Sequence, residues 1–120
     1  MRSDGDRPAL GATRTTLGVK IRDSPDILMD ADGFVYPKTG GLSVAPTPSH
    51  LPLSKRPIAL GGNSRLPVWR LDLDHLPGSL FCRATSGSHR AIEPAAPMRL
   101  AEFQEGIYGL QALWVLEKLG

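Results

Sequence analysis

Apolar residues recur along this chain with two different periods. Leu17, Val19 and Ile21 alternate with Gly18, Lys20 and Arg22, and Trp69, Leu71 and Leu73 alternate with Val68, Arg70 and Asp72. A two-residue rhythm is that of a half-buried strand. Phe34-Val35-Tyr36 ahead of Pro37, Leu42-Ser43-Val44, Leu80 to Ala84 and His89 to Glu93 are further short strand candidates, each bounded by turn residues. In the last of these, His89, Ala91 and Glu93 share a face, with His89 and Glu93 about 13 Å apart along the strand. After Pro97, a residue tolerated in a first helical turn, the period lengthens. Leu100, Phe103, Ile107, Leu110 and Trp114 follow at spacings of three and four, which predicts an amphipathic helix from about Met98 to Leu119, roughly 33 Å long. Leu113, Leu116 and Leu119 fall off that stripe, so the last turns either bury a wider face or meet a partner. Strands followed by one helix predict an α+β fold rather than alternating α/β.

Between these elements the punctuation is dense. Ser24-Pro25-Asp26 ends the first strand, Asp30 to Gly33 forms a turn, and Thr39-Gly40-Gly41 reads as the tight turn of a hairpin needing positive φ. Five prolines, at positions 46, 48, 52, 57 and 67, exclude a long helix between Ala45 and Pro67. An irregular segment of that length inside a small domain is often a functional loop. Residues 1–16, rich in Gly, Asp, Arg and Thr, read as a flexible arm or one ordered only by contact with the rest; residues 17–120 read as a single domain.

Composition narrows the classes. With 120 residues, one core is the expectation, and 13 glycines with 11 prolines imply many turns. A net charge of +2, without basic runs interleaved with aromatics, indicates no dedicated nucleic-acid surface. The single cysteine, Cys82, excludes an internal disulfide, and no CxxC spacing suggests zinc. The Asp30–Gly33 turn resembles the start of a calcium loop but lacks the closing Glu. No apolar run suits a bilayer and no signal-peptide core is present. The expectation is a protein that is cytoplasmic, or delivered into a target cell without a classical signal peptide, with no metal and no membrane partner.

Candidate chemistry is sparse. There is no Gly-x-Ser-x-Gly elbow, and Cys82 lies in an apolar strand, the setting of an inert core thiol. Asp72, Asp74 and Glu93 are available carboxylates. What remains is one carboxylate beside a histidine and a serine, with glycines nearby. Each residue also has a plain structural reading: Ser43 as a strand hydroxyl, His89 and Glu93 as a solvated strand face, Tyr36 as a packed aromatic.

Two runs, SPDILMDADGFVYPKTGGLSV from Ser24 to Val44 and HRAIEPAAPM from His89 to Met98, resemble the signature segments of a toxin family. This family comprises the ADP-ribosyltransferase-like toxins delivered by bacterial type VI secretion and their relatives in fungal proteins. The proline-rich segment, the Trp69 strand and the amphipathic helix are similarly spaced, so the likeness spans roughly Val19 to Trp114. It implies a compact ADP-ribosyltransferase-like fold of two small facing β-sheets, with a cleft for NAD. It further implies cleavage of the nicotinamide–ribose bond and transfer of ADP-ribose to an intracellular macromolecular acceptor, with an immunity or neutralising protein as a further partner. By the same resemblance Ser43, His89 and Glu93 are the catalytic residues, and Arg22, Tyr36, Thr39, Gly40 and Gly41 bind the cofactor. Relatives begin with a Leu-Tyr-Arg strand whose arginine takes the cofactor; here only the arm containing Arg14 and the strand ending at Arg22 stand in that place. Either one of these substitutes, or the chain is a trimmed version of the family. The alternative function is a non-catalytic binding module on the same scaffold, acting through the Leu113, Leu116 and Leu119 edge.

Overall fold

In a computed structural model that describes residues 1–118, short strands pair into four small antiparallel sheets. Leu42–Val44 and Leu80–Ala84 are strands as expected, the Phe34 strand runs on to Gly40, and the His89 strand is displaced by one residue to Arg90–Pro94. In chain order they are β1 (Ser3–Asp4), β2 (Arg7–Pro8), β3 (Ile27–Met29), β4 (Phe34–Gly40), β5 (Leu42–Val44), β6 (Trp69–Arg70), β7 (Leu80–Ala84), β8 (Arg90–Pro94) and β9 (Met98–Arg99). The helix α1 (Leu100–Tyr108) and β10 (Val115–Leu116) follow. Two sheets have three strands, in the orders β3-β4-β9 and β5-β8-β7; β1 pairs with β2, and β6 with β10. Ten strands and one α-helix among the described residues make this an α+β protein.

The Thr39-Gly40-Gly41 stretch is not a hairpin. β4 runs into β5 through Gly41 alone, and the two strands pair with different neighbours, β4 with β3 and β9, β5 with β8. The chain therefore crosses from one sheet to the other at this point. Both glycines serve close backbone approach. A Cβ on Gly40, where φ is 116°, would sit 2.2 Å from the Asp26 carbonyl oxygen, and one on Gly41 would sit 2.2 Å from that of Ile92. Lys38 also has positive φ, 67°, where the β3–β4 register shifts.

Leu17 to Arg22 is not a strand either, although Leu17 and Val19 are fully buried. Leu17 makes one parallel bridge, to Leu10. The amide of the Gln104 side chain takes the place of a second strand partner: the Val19 N–H donates to its Oε1 at 2.8 Å and its Nε2 donates to the Val19 carbonyl at 3.0 Å. Likewise only Trp69–Arg70 of the VWRLDL run pairs; Leu73 opens a 3-10 turn capped by Asp72, whose Oδ1 accepts the Asp74 N–H at 3.0 Å, and is half exposed.

The helix is nine residues long, not twenty-two. Met98 and Arg99 are a strand paired with β4, and the helix ends at Gly109, where Gly106 and Gly109 together weaken helical continuation. Phe103 and Ile107 reach the core from α1, whereas Leu110 and Trp114 reach it from the 3-10 turn and extended chain that follow. Apolar periodicity thus located the buried residues while overstating the helix. Leu113 and Leu116 are exposed, and Leu119 lies outside the described residues.

The N-terminal segment lies against the domain. The Gln111 Nε2 donates to the Pro8 carbonyl at 2.9 Å, the Trp69 Nε1 to the Met1 carbonyl at 2.9 Å, and Pro8 is buried. Leu17, Val19, Ile27, Val35, Ile92, Phe103 and Ile107, each at most 2% exposed, form the centre of the core. No helix among the described residues is long and apolar enough to cross a membrane.

The crossing yields a stability prediction. Gly41→Ala is expected to cost about 2 kcal/mol or more, because the new methyl meets backbone that cannot yield. Gly78→Ala, with nothing within 4 Å of its added carbon, should stay within about 0.5 kcal/mol of wild type. Urea unfolding of both variants is the check; equal stability would mean the crossing relaxes freely.

Candidate functional site

Register divides the β5-β8-β7 sheet into two chemically distinct faces. Directly opposed residues share a face, so the rows Leu42–Ile92–Cys82 and Val44–Arg90–Ala84 lie on one side and the row Ser43–Ala91–Arg83 on the other. All six residues of the first two rows border a cavity of about 750 Å³. Its remaining walls include the Thr13–Thr16 stretch, the proline-rich segment, β6 and the residues flanking β10, Trp114 and Glu117. The volume is in the range of small-molecule pockets.

Four cations, Arg14, Lys55, Arg70 and Arg90, border this cavity with two carboxylates, Asp26 and Glu117. The carboxylates are already engaged. Asp26 accepts the Lys20 N–H at 2.7 Å, and Glu117 lies 3.5 Å from the Arg70 guanidinium. Cys82 also faces the cavity, but burial pushes its thiol pKa up, and the Arg90 guanidinium only partly offsets that. A protonated thiol is a poor nucleophile.

The three residues expected to be catalytic carry their side chains on the opposite face, and only two of them meet. The His89 Nε2 lies 3.2 Å from the Ser43 Oγ, while its Nδ1 is hydrogen-bonded to the Thr85 Oγ1. Glu93 is held apart. It is 2% exposed, and the Arg83 Nε donates to both its oxygens at 3.0 and 2.9 Å. This is an ion pair on adjacent strands whose carboxylate is sealed from solvent while the Arg83 side chain is 30% exposed. Ser43, on the edge strand β5, also borders the large cavity. Arg83 and Thr85 were not among the expected residues; Thr85 could have been found as a hydroxyl four residues before His89, whereas the place of Arg83 depends on the β7–β8 register, which spacing does not encode.

The expected cofactor residues do not gather. Arg22, Tyr36, Thr39, Gly40 and Gly41 border neither this cavity nor each other's polar groups, apart from the Thr39 Oγ1 donating to the Tyr36 carbonyl at 2.8 Å. The space beside Gly40 and Gly41, expected from the resemblance to take the cofactor, is filled by the Asp26 and Ile92 backbone. Of the two candidate arginines, Arg14 borders the cavity and Arg22 does not. The Tyr36 hydroxyl donates to the Asp30 Oδ2. That bond lowers the Asp30 pKa, helped by the Phe34 N–H, and the same bond raises the pKa of Tyr36. Asp30 also accepts the Asp32 N–H at 3.0 Å, so the acidic turn spends its oxygens on its own backbone. Among the described residues no three His, Cys, Asp or Glu side chains are grouped to hold a metal.

No family model, no curated protein and no solved structure matches the chain.

Two outcomes follow from these contacts. Arg83→Ala strands a buried carboxylate and should cost about 3 kcal/mol. Combined with Glu93→Gln it should cost less than the sum of the single changes, with a coupling above about 1 kcal/mol; simple additivity in a double-mutant cycle would show the pair is not holding the strands. Asp30, with a pKa below its unfolded value, contributes stability present above the ordinary carboxylate range and lost as pH falls through its folded value. Tyr36→Phe should therefore melt lower than wild type at neutral pH, and the two melting temperatures should converge in acid.

Proposed function

We propose that this chain is an ADP-ribosyltransferase-like toxin whose substrate NAD occupies the cavity beside the β5-β8-β7 sheet. The carrying observation is that cavity: about 750 Å³, floored by Leu42, Ile92 and Cys82, with Arg14, Lys55, Arg70 and Arg90 on its borders. A dinucleotide needs apolar surface for its two rings and cations for its diphosphate, and both are offered there. Arg14 supports the reading further, since it belongs to the segment standing where the resembled family has its cofactor arginine.

In this reading Ser43 orients the nicotinamide ribose from the edge strand and His89 holds the Ser43 hydroxyl in place. Cleavage of the nicotinamide–ribose bond develops positive charge on the ribose carbon, which a facing carboxylate stabilises. Glu93, sealed against Arg83, acts on the sheet's geometry instead, and the facing role passes to Glu117 at the cavity border, its solvent-exposed partner Arg70, 3.5 Å away, turning to the diphosphate as NAD binds. ADP-ribose then goes to an intracellular macromolecular acceptor, and a neutralising protein would block the cavity mouth. The sealed state of Glu93 is also the observation that favours the second reading, a non-catalytic binding module presenting the exposed Leu113, Val115 and Leu116.

Isothermal titration with NAD separates the two. Micromolar to low-millimolar binding is expected, weakened roughly tenfold, ~1.4 kcal/mol, by Arg14→Ala. A folded protein that takes up no NAD would overturn the transferase reading and leave the binding module.

A further inference from the structure

We propose a second activity, independent of NAD: Ser43 is a nucleophile toward activated carboxylic esters of short acyl chain, with His89 as its general base and Thr85 as the positioning residue. General-base catalysis requires the tautomer with the proton on Nδ1, and the Thr85 oxygen is placed to accept it. The Thr85 Oγ1 lies within bonding distance of the His89 Nδ1 and, at 3.2 Å, of the His89 carbonyl oxygen. A hydroxyl has one proton to give. In the tautomer catalysis requires, that proton goes to the His89 carbonyl, which also takes the Thr85 N–H and the Arg90 Nη1–H at 3.1 Å each, while the Thr85 oxygen accepts the Nδ1–H and Nε2 carries the lone pair. That lone pair faces the Ser43 Oγ at 3.2 Å. A nucleophile bonded to a base that is itself oriented by a third group is the arrangement of covalent catalysis.

The surroundings hold this arrangement and give it room. The turn is closed by the Thr85 N–H donating to the His89 carbonyl at 3.1 Å and the His89 N–H to the Ser86 carbonyl at 2.9 Å. Ser43 is fixed by its pairing with Ala91 in the sheet. On one side, His89 borders a hollow of about 410 Å³ walled by Val44, Ala45 and Pro52, a fit for a short acyl chain, with His50 as a second imidazole. On the other, Ser43 borders the large cavity, where a leaving group has space. Ser43 and His89 are both exposed, so a substrate reaches them without unfolding.

The chemistry balances without metal or redox partner. The Ser43 Oγ attacks the ester carbonyl carbon as its proton passes to the His89 Nε2. The tetrahedral intermediate collapses, the bond to the alkoxide breaks, and the alkoxide leaves with the proton from His89. Water, deprotonated by the same nitrogen, then cleaves the acyl-serine to the carboxylic acid and restores Ser43.

The test is labelling of the full chain by an alkyl fluorophosphonate, in which the serine oxygen–phosphorus bond forms as fluoride leaves, read by intact mass and peptide mapping, alongside turnover of p-nitrophenyl acetate. One adduct, on Ser43, is expected. It should be absent in Ser43→Ala, slowed at least tenfold in His89→Gln, slowed in Thr85→Val and restored in Thr85→Ser, while Ser79→Ala labels as wild type. The proposal fails if the folded protein takes no adduct, if several serines label at equal rates, or if His89→Gln leaves the Ser43 rate unchanged. Since the probe needs no NAD, either result leaves the titration above standing on its own.

Discussion

Two backbone segments touching at Gly40 and Gly41 set the rest of the structure. Because no Cβ intervenes, the β4–β5 strand passes within carbonyl contact of Asp26 on one side and Ile92 on the other, and one continuous strand serves two sheets. That single crossing sets where β5 begins, and therefore which residues of β5 look toward each side of the β5-β8-β7 sheet. A register shift of one residue would exchange Ser43 with Leu42 and Val44, putting a hydroxyl over the cavity floor and an aliphatic side chain beside His89.

The same sheet separates the charges. Arg83 and Glu93 neutralise each other on the side where Glu93 is sealed, so the net positive character around the cavity comes from Arg14, Lys55, Arg70 and Arg90, opposed by Asp26 and Glu117. A carboxylate released from Arg83 would strain the core, because charge buried without a partner is costly. Glu93 thus belongs to the architecture that spaces the strands, and the proposed transferase chemistry draws its acid from the other face.

Much of the core was legible from apolar spacing: Leu17, Val19, Trp69, Phe103, Ile107, Leu110 and Trp114 are all buried. What spacing did not reveal was which backbone each would use. Val19 is buried in chain that bonds a glutamine side chain, and Trp114 is buried from extended chain, because burial depends on where a side chain ends up and not on which hydrogen bonds its backbone makes. The candidate site was half legible. Alternation put His89 and Glu93 on one face, as observed, yet it carries no information about neighbours on other strands, so the bond from His89 to Ser43 and the capture of Glu93 by Arg83 both depend on a pairing the spacing does not encode. The glycine pair misled for a related reason: glycine tolerates positive φ and close approach alike, and only the tertiary neighbours tell which is in use.

The cavity and the serine–histidine pair are two consequences of one edge strand. The cavity's floor is sheet, rigid through its ladder, whereas its walls are the Thr13–Thr16 stretch and the proline-rich segment, held by turns and isolated bridges. Such walls adjust to a ligand while the floor does not. Ser43 is the residue where these regimes meet: its backbone is in the ladder, it borders the cavity, and its hydroxyl lies against His89, which borders the smaller hollow. A ligand reaching the β5 edge of the cavity would therefore meet Ser43 at a fixed place, and wall movement would change what reaches that edge without changing the orientation of Ser43 toward His89.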